Sequence, residues 1–381
     1  MTIPFNKPYL SGREEEYLRD ALQSRAHCGN RTYTEKCIRL MKEKYGFGEV
    51  FLTPSCTAAM EMGAMLADLS PGDEVILPSW TFSSTANAVV LRGAKPVFCD
   101  VDPKTMNIDV TLIEGLITER TRLIMPIDYM GIPCDMDVIS AIAQRHNLMV
   151  LEDAAQSFHS YLNGNPCGTH ATMAAFSFHE SKNLSCGEGG ALIVNDPALV
   201  ERAAFLQEKG TDRSLVIKGL RAKYGWVDIG SSFLLADLLA AVLFAQLEAV
   251  DEIVTLRSRI TAGYYDLYQP YADKGYLALP IIPENVLLNH HAYFVIFDTD
   301  ENQQRFLKLC RDRDVYPFRG YLPLHSSVMG RKFGYQPEEV PMTEALSERI
   351  VRLPFYTDLA NEGLEICLEA MRAVLQELYG C

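Results

Sequence analysis

The side chains best suited to covalent chemistry lie in the segment FSFHESKNLSCGEGGA, residues 176–191. Lys182 follows an apolar run that contains Ser177, and it precedes the glycine-rich stretch 187–190. A lysine that forms a Schiff base needs a phosphate anchor for its cofactor, which a hydroxyl and a closely approaching backbone can provide. The simpler interpretation is a lysine exposed in a surface loop. Lys182 therefore becomes a catalytic candidate only together with an acidic partner.

Such a partner is predicted at the end of another strand, in LMVLEDAAQ, residues 148–156. The adjacent Glu152 and Asp153 should point to opposite faces of that strand, so that one of them can reach a pocket. A helix cap or an ion pair is the structural alternative. Combined with Lys182, the acid is better interpreted as the group that keeps a pyridine nitrogen protonated. The electron sink of pyridoxal phosphate depends on that protonation.

Two further segments place hydroxyl groups after predicted strands. In LTPSCTAAM, residues 52–60, Ser55 and Thr57 open a helix whose first N–H groups form a natural seat for phosphate. Helix capping by serine or threonine is common, so this segment alone is weak evidence. PSWTFSSTANA, residues 78–88, adds two aromatic rings. Either ring can stack on a planar cofactor or pack in the core.

These segments belong to a region, residues 50–195, in which short β-branched runs alternate with helical stretches. The runs are Val50–Thr53, Glu74–Pro78, Pro96–Asp100, Leu123–Ile127, Leu148–Asp153, Ala174–Phe178 and Ala191–Val194. The alternation predicts an α/β fold with a large, mostly parallel sheet that binds ligands beyond the carboxyl ends of its strands. A long helix is predicted over 236–268. We expect a large domain over residues 1–250 and a smaller C-terminal α/β domain over 251–381.

The composition of the 381 residues argues against several classes of function. Thirty-five basic and forty-nine acidic side chains give a net charge of −14, which disfavours a surface for nucleic acid or anionic lipid. The sequence contains no Walker A loop, no G-x-S-x-G elbow and no H-E-x-x-H zinc motif, and its glycine-rich stretch precedes a strand, unlike a dinucleotide fingerprint. The ten cysteines form no C-x-x-C pair, and no signal peptide or membrane-spanning run is visible. We therefore expect a cytoplasmic protein without a metal site.

Four blocks, in this order, resemble the DegT/StrS family of pyridoxal phosphate-dependent sugar aminotransferases. They are SCTA at 55–58, PSWTF at 78–82, EDAAQ at 152–156, and SFHESK at 177–182 followed by GEGG at 187–190. Together the blocks are highly specific, and the resemblance covers essentially the whole chain. It implies the fold type I, aspartate aminotransferase-like architecture. It also implies a homodimer whose active sites lie at the subunit interface.

The resemblance implies a role for each matching residue. Lys182 would form the Schiff base with pyridoxal 5'-phosphate and Asp153 would pair with the pyridine nitrogen, so both are expected to be catalytic. Gln156 would contact the ring hydroxyl, and Phe82 would stack on the ring, with Trp80 as the alternative. The expected cofactor-binding residues, including those that would hold the phosphate, are Cys56, Thr57, Phe82, Asp153, Gln156, Ser177, Lys182 and Ser232.

Three positions distinguish this sequence from particular groups of relatives. Many relatives carry a G-x-N-Y-R pattern whose asparagine reaches the cofactor phosphate of the partner subunit. Here Ser232 replaces the asparagine and Leu234 replaces the arginine, so Ser232 is expected to donate one hydrogen bond. Relatives that act as sugar dehydratases carry histidine in place of Lys182. The lysine therefore favours amino transfer.

Four other segments, ANAVVLRGAKPVF, TMNIDVTLIE, EKGTDRS and DIGSS, are similar to family members that make dTDP-4-amino-4,6-dideoxygalactose for enterobacterial common antigen. They imply transamination of dTDP-4-keto-6-deoxy-D-glucose with L-glutamate as the donor, giving that amino sugar and 2-oxoglutarate. Three alternatives stay open: formation of the gluco epimer, a non-catalytic regulatory protein that binds pyridoxal phosphate, and a nicotinamide-dependent oxidoreductase.

Substrate contacts are expected in segments that the family brings toward the active-site cleft. The candidates are Lys209, Thr211 and Arg213, which would meet the diphosphate, and Arg319, His325 and the pair His290–His291. The alternatives are exposure to solvent for the first three residues and packing in the core for the histidines.

Overall fold

The computed structural model describes residues 1–380 and contains three sheets. The strands are β1 (Glu49–Thr53), β2 (Glu74–Pro78), β3 (Lys95–Cys99), β4 (Thr121–Ile124), β5 (Met149–Asp153), β6 (Tyr161–Leu162), β7 (Asn165–Pro166), β8 (Met173–Ser177), β9 (Gly190–Val194), β10 (Leu277–Ala278), β11 (Val286–Leu287), β12 (Phe294–Phe297), β13 (Phe318–Arg319) and β14 (Ile350–Arg352). Seven strands form the largest sheet in the order β1-β9-β8-β5-β4-β2-β3. Four form a second sheet, β10-β12-β14-β13, and β11, β6 and β7 form a small third one.

The large sheet is mostly parallel, as the sequence predicted. Strands β3, β2, β4, β5 and β8 run parallel to one another, and β9 is antiparallel to the two strands beside it, β8 and β1. β2, β8 and β9 are buried along their whole length. Burial on both faces explains why these strands are continuous apolar runs in the sequence.

Helices cover both faces of the large sheet and pack beside the second one. They are α1 (Glu14–Gln23), α2 (Thr32–Tyr45), α3 (Cys56–Leu66), α4 (Ser83–Val90), α5 (Ile113–Leu116), α6 (Met136–His146), α7 (Val200–Gln207), α8 (Arg213–Ile217), α9 (Asp237–Glu248), α10 (Val250–Ala272), α11 (Asp300–Arg311), α12 (Val328–Lys332), α13 (Pro341–Ser347), α14 (Leu359–Glu362) and α15 (Leu364–Tyr379). Within residues 1–380, none of the helices is long and apolar enough to span a bilayer.

The prediction of one continuous helix over 236–268 is wrong. Ala249 separates α9 from α10 and adopts φ −94° and ψ 6°, outside the helical range. α9 is buried in the core beside the large sheet, and α10 begins in that core, where Ile253 is buried. The same helix ends in a second core, where Tyr264 is buried. α10 therefore connects the two cores, and the non-helical residue Ala249 lies where α9 and α10 meet in the first of them.

The second core also contains the first residues of the chain. Ile3 is fully buried there and forms a parallel bridge with Val315. The carbonyl of Phe5 accepts a hydrogen bond from the N–H of Phe355 (3.0 Å). Residues from the start of the sequence thus pack with its last third. The domain limits of 1–250 and 251–381 stay a prediction.

Candidate functional site

Seven of the residues expected to bind a cofactor line one cavity of about 320 Å³. They are Cys56, Thr57, Phe82, Asp153, Gln156, Ser177 and Lys182. Strands β1 and β2 lead into α3 and α4, which begin at the cavity, while β5 and β8 end there in Asp153 and Ser177. The cavity therefore lies beyond the carboxyl ends of the strands, where α/β folds bind their ligands.

Lys182 lies in the turn after β8, where its N–H donates to the carbonyl of His179 (2.9 Å). Its side chain is partly accessible from the cavity and is otherwise surrounded by protein. Burial lowers the pKa of the Lys182 amine to about 8. The positive charge of Arg352 adds to this shift, whereas Cys56 and Asp153 oppose it. Because the neutral amine is the nucleophilic form of lysine, the site favours covalent chemistry at this position.

Asp153 ends β5 with a buried carboxylate at the same cavity. Thr85 Oγ1 donates to one carboxylate oxygen (2.8 Å), and the N–H of Ala155 donates to the other (3.2 Å). Burial raises the pKa of Asp153 above its ordinary value, while these hydrogen bonds and the charge of Lys182 act in the opposite direction. A buried carboxylate is stabilised by a positive group beside it, such as a protonated pyridine nitrogen.

The neighbouring Glu152 faces a different environment. Its carboxyl group accepts hydrogen bonds from the N–H of Gly168 (3.0 and 3.2 Å). It lies beside Asp128, whose own carboxylate accepts a hydrogen bond from Ser157 Oγ (2.6 Å). Burial and the neighbouring carboxylate raise the pKa of Glu152 well above its ordinary value. Asp153 is therefore the buried acid of the cavity, whose lining also includes the exposed Glu188, and Glu152 is a structural residue.

The N-termini of α3 and α4 form one end of the cavity. Ser55 caps α3 by accepting a hydrogen bond from the N–H of Ala58 (3.1 Å), and Thr57 Oγ1 donates to Ser84 Oγ (2.9 Å). Gly190 in β9 approaches this turn so closely that a β-carbon there would lie 2.4 Å from the first backbone nitrogen of α3. Helix N-termini with hydroxyl groups attract anions, so this end of the cavity suits a phosphate.

Aromatic and amide groups line another part of the cavity. Phe82 directly precedes α4, is 60% exposed, and lies 6.3 Å from the ring of Tyr321. Gln156 accepts a hydrogen bond from the N–H of Met130 (2.8 Å) and donates from Nε2 to the hydroxyl of Tyr321 (3.2 Å). Trp80 is fully buried and is not a lining residue. Phe82 is thus better placed than Trp80 to stack on a ligand.

Three residues expected at the site lie on the surface outside this cavity. Ser232 is exposed and pairs with Glu208 in an isolated bridge. Lys209 and Arg213 each form an ion pair with Glu208, at 3.4 and 3.6 Å. The role expected for Ser232 involves a second subunit. The roles of all three residues stay predictions.

Arg319 and His325 also lie outside the cavity. Arg319 is exposed on β13. His325 is fully buried, with Nδ1 2.6 Å from Ser79 Oγ and Nε2 3.2 Å from the carbonyl of Pro337. These contacts hold His325 beneath the loop that follows β2. Its contact with substrate stays a prediction, as does that of Arg319.

The pair His290–His291 lies behind the cavity rather than in it. His291 is buried, and its Nδ1 lies 2.9 Å from Asn183 Oδ1. Asn183 in turn donates from Nδ2 to the carbonyl of Asn289 (2.8 Å). These hydrogen bonds fix the residue that follows Lys182 in the chain, so His291 supports the site from outside.

Several residues that line the cavity were not identified in the sequence. Two of them come from the region of the second sheet, where Arg352 ends β14 and Tyr321 follows β13. Neither lies in a local motif, and only the fold brings them to this cavity. Ser84 and Thr85 belong to the segment 78–88, where a run of hydroxyl residues after a predicted strand was the available signal.

These observations meet the requirements for binding pyridoxal 5'-phosphate. An amine of lowered pKa, a buried acid, a phosphate seat at two helix N-termini and an exposed aromatic ring surround one cavity. The residues present therefore fit this cofactor at its aldehyde, which would meet the Lys182 amine, at its ring nitrogen and at its phosphate.

A sequence profile of the DegT/DnrJ/EryC1/StrS aminotransferase family matches residues 8–372. GDP-perosamine synthase from Escherichia coli O157:H7 is 29% identical over 373 residues, which cover 97% of each chain. A pleiotropic regulatory protein from Geobacillus stearothermophilus is 32% identical over 316 residues, covering 82% of this chain and 81% of that one.

Among solved structures, the aminotransferase TlmJ from Streptoalloteichus hindustanus superimposes with a TM-score of 0.90 at 28% identity, covering 99% of this chain and 100% of that one. This similarity confirms the fold type I architecture that the resemblance implied. The profile match confirms the family and, with it, the expected cofactor. The chain belongs to the DegT/DnrJ/EryC1/StrS aminotransferase family, whose members are pyridoxal phosphate-dependent sugar aminotransferases.

Proposed function

We propose that this enzyme transfers the amino group of L-glutamate to the fourth carbon of dTDP-4-keto-6-deoxy-D-glucose. The products are dTDP-4-amino-4,6-dideoxy-D-galactose and 2-oxoglutarate. The observation that carries the proposal is the placement of Lys182 and Asp153 in one cavity of a chain that belongs to this family. The sequence segments noted above support the choice of substrate. We further propose that the reaction takes place in the cytoplasm and supplies a polysaccharide such as enterobacterial common antigen.

Lys182 holds the cofactor and then moves protons during the reaction. As a free amine, Nζ would take the proton from the donor carbon that bears nitrogen, and in the second half-reaction it would return a proton to the fourth carbon of the sugar. Its lowered pKa favours this role, because the amine can accept and release a proton near neutral pH. Bound pyridoxal phosphate supplies the electron sink that stabilises the negative charge left by proton removal.

The other residues of the cavity orient the reactants and hold charge. Asp153 stabilises positive charge at the ring nitrogen, and Thr85 fixes its carboxylate in place. Ser55, Thr57 and the helix N–H groups beside them hold the phosphate. The ring is thereby fixed relative to Lys182. The face of the sugar that meets Nζ then determines whether the new amine is axial or equatorial.

We also propose that the enzyme is a homodimer. The large hydrophobic side chains of the segment 213–232 that are exposed in the single chain include Ile217 (71%), Leu220 (70%), Trp226 (81%) and Ile229 (60%). An apolar surface of this kind is typical of a protein–protein interface. Ser232 ends the same segment, and the family resemblance implies that a residue at this position reaches the cofactor phosphate of the second copy.

A second candidate function is a regulatory protein that binds pyridoxal phosphate without turnover. The Geobacillus stearothermophilus relative, which is named as a regulatory protein, favours this candidate. The combination of a lysine of lowered pKa with a buried acid favours catalysis, because binding alone needs neither proton transfer nor an electron sink.

The test is incubation of the purified enzyme with dTDP-4-keto-6-deoxyglucose and L-glutamate, followed by NMR of the nucleotide sugar. The configuration at the fourth carbon distinguishes the galacto product from the gluco epimer. Absence of any amino sugar, with the cofactor bound, would favour the regulatory candidate. Lys182→Ala should abolish turnover, while Lys332→Ala, at an exposed lysine of α12, should preserve it. Turnover at the parent rate in Lys182→Ala would contradict the proposed mechanism.

A further inference from the structure

Arg352 is the last residue of β14 and lines the cavity that contains Lys182. Its guanidinium lies over the rings of Phe5 and Tyr321, with distances of 5.2 and 5.7 Å to the ring centroids. Contacts with aromatic faces hold a planar guanidinium in a fixed orientation and leave the N–H groups at its edge available. The edge is therefore the part of the side chain that can bind a ligand.

No acidic side chain of residues 1–380 forms an ion pair with Arg352. Its Nε is buried and has no hydrogen-bond acceptor in the described part of the chain. Buried N–H groups in native proteins almost always have an acceptor, because an unpaired one is energetically costly. The side chain that carries this unpaired donor lines the cavity that contains Lys182. Its position indicates that the acceptor is supplied by a ligand.

A second buried arginine shows the contrasting arrangement. Arg257 donates to the carbonyl oxygen of His290 (2.9 Å), to that of His291, and to Thr357 Oγ1 (3.3 Å). Its acceptors all belong to the chain, and it does not line the cavity. Arg257 is thus held by structural contacts of the kind that Arg352 lacks.

The charges of the cavity leave one position suited to a carboxylate. Asp153 repels a second carboxylate at its end of the cavity, and the N-termini of α3 and α4 are assigned to the phosphate of the cofactor. Arg352 is a cation without such an assignment, and its charge contributes to the lowered pKa of Lys182, so it acts at the reacting amine. The donor is an amino acid, whose carboxylate must be held while its amino group reacts beside Lys182.

We propose that Arg352 binds a carboxylate of the amino donor. This assignment rests on the proposed function, in which the donor is L-glutamate. Two parallel N–H groups of the guanidinium donate to the two carboxylate oxygens, an arrangement that fixes the direction of the donor as well as its position. The phosphate seat and Arg352 thus separate the anionic groups of cofactor and donor.

The test compares Arg352→Gln with the matched control Arg349→Gln. Arg349 directly precedes β14, and its guanidinium donates to the carbonyl oxygens of Ala345 (3.1 Å) and Asp298 (3.5 Å), away from the cavity. The two half-reactions are followed separately by the absorbance of the bound cofactor. L-glutamate is added to enzyme that carries pyridoxal phosphate, and the keto sugar is added to enzyme that carries pyridoxamine phosphate.

We expect Arg352→Gln to raise the half-saturating concentration of L-glutamate about 10- to 100-fold, as expected for loss of a charged hydrogen bond. The half-saturating concentration of the keto sugar should stay unchanged. Arg349→Gln should alter neither value. Arg352→Lys should restore part of the affinity for L-glutamate, because it returns the charge without the planar pair of donors.

If Arg352→Gln raised the half-saturating concentrations of L-glutamate and of the keto sugar equally, the assignment would be overturned, because equal changes indicate a structural role. An increase only in the half-saturating concentration of the keto sugar would also overturn the assignment. It would indicate that Arg352 binds the diphosphate of the nucleotide sugar. Calorimetric binding of glutarate, an unreactive dicarboxylate, separates this assignment from the proposed function. If the parent binds glutarate and Arg352→Gln does not, the assignment holds even when the keto sugar is not aminated. Equal glutarate affinity in both proteins contradicts it.

Discussion

Asp153 and Glu152 are adjacent in the chain, yet β5 directs their carboxyl groups to different surroundings. Asp153→Asn keeps the shape of the side chain and an oxygen that can accept the hydrogen bond from Thr85, but it removes the negative charge. We expect kcat to fall about 100-fold or more, as is typical when a preorganised charge is lost from an active site. Steady-state kinetics, together with the amount of bound cofactor, measures this effect.

Glu152→Gln is the matched control for that change. Burial and the neighbouring Asp128 raise the pKa of Glu152 well above its ordinary value, which favours the neutral carboxyl group, and an amide of the same shape is neutral as well. We expect kcat to stay within a few-fold of the parent value. A loss as large as that of Asp153→Asn would show that the two acids do not have separate roles.

The lowered pKa of Lys182 leads to a prediction for the cofactor-free enzyme. Because only the neutral amine reacts with acylating reagents, labelling of Lys182 should reach its midpoint near pH 8 rather than near the ordinary value of 10.5. Arg352→Gln should move the midpoint upward, since it removes a positive charge that lowers this pKa. Mass spectrometry of the labelled peptide across a pH series measures both midpoints. A midpoint near 10.5 in the parent would show that the amine is not desolvated.

At the scale of residues, the sequence predicted those parts of the site that lie within one motif. Lys182 and Asp153 were accessible to prediction because each lies at or just after the end of an apolar run, where α/β folds place ligands. Tyr321 and Arg352 were not, because they reach the cavity from strands that are distant in the sequence. Their contribution depends on how the second sheet packs against the first, which no local pattern records.

At the scale of elements, the junction between β9 and the start of α3 depends on Gly190. A β-carbon at this position would lie 2.4 and 2.5 Å from backbone atoms of the turn, so the strand or the helix would have to move. We expect Gly190→Ala to lower the free energy of unfolding by about 1–3 kcal/mol and to weaken cofactor binding, because the displaced turn forms the phosphate seat. Chemical denaturation and cofactor titration measure the two effects.

Gly115→Ala in α5 is the control for that substitution. No atom lies within 4 Å of the β-carbon that it would add, so we expect no loss of stability and unchanged cofactor affinity. If Gly190→Ala behaved like this control, the close approach of β9 to α3 would have no role in cofactor binding.

The strands of the large sheet were predicted well because burial on both faces makes each one a continuous apolar run. β2, for example, has the predicted limits, Glu74–Pro78. The break at Ala249 was missed because both flanking segments favour a helix. α10 extends from the first core into the second, and most residues of both cores lie far from Ala249 in the sequence.

At the scale of the whole molecule, the exposed apolar side chains of segment 213–232 lead to a prediction about assembly. Trp226→Asp places a charge where Trp226 is 81% exposed in the single chain. If this surface is buried against a second copy, the dimer dissociation constant should rise at least about 30-fold, as for loss of a central aromatic contact. Analytical ultracentrifugation over a concentration series measures that constant.

Ile366→Asp makes the same kind of change at an apolar residue of α15 that is 47% exposed. We expect the dimer dissociation constant to stay unchanged in this variant. If both variants dimerise like the parent, the proposed interface is not on segment 213–232. If both dissociate to the same extent, the effect of Trp226→Asp is not specific to its surface.

The burial of Ile3 beside Val315 has a consequence for the order in which the protein is made. A ribosome adds Val315 about 310 residues after Ile3. The apolar side chains at the start of the chain therefore cannot pack against their final contacts during most of translation. The strands of the large sheet emerge during that interval. Closure of the second core, which also positions Phe5 against Arg352, is thus among the last steps of maturation.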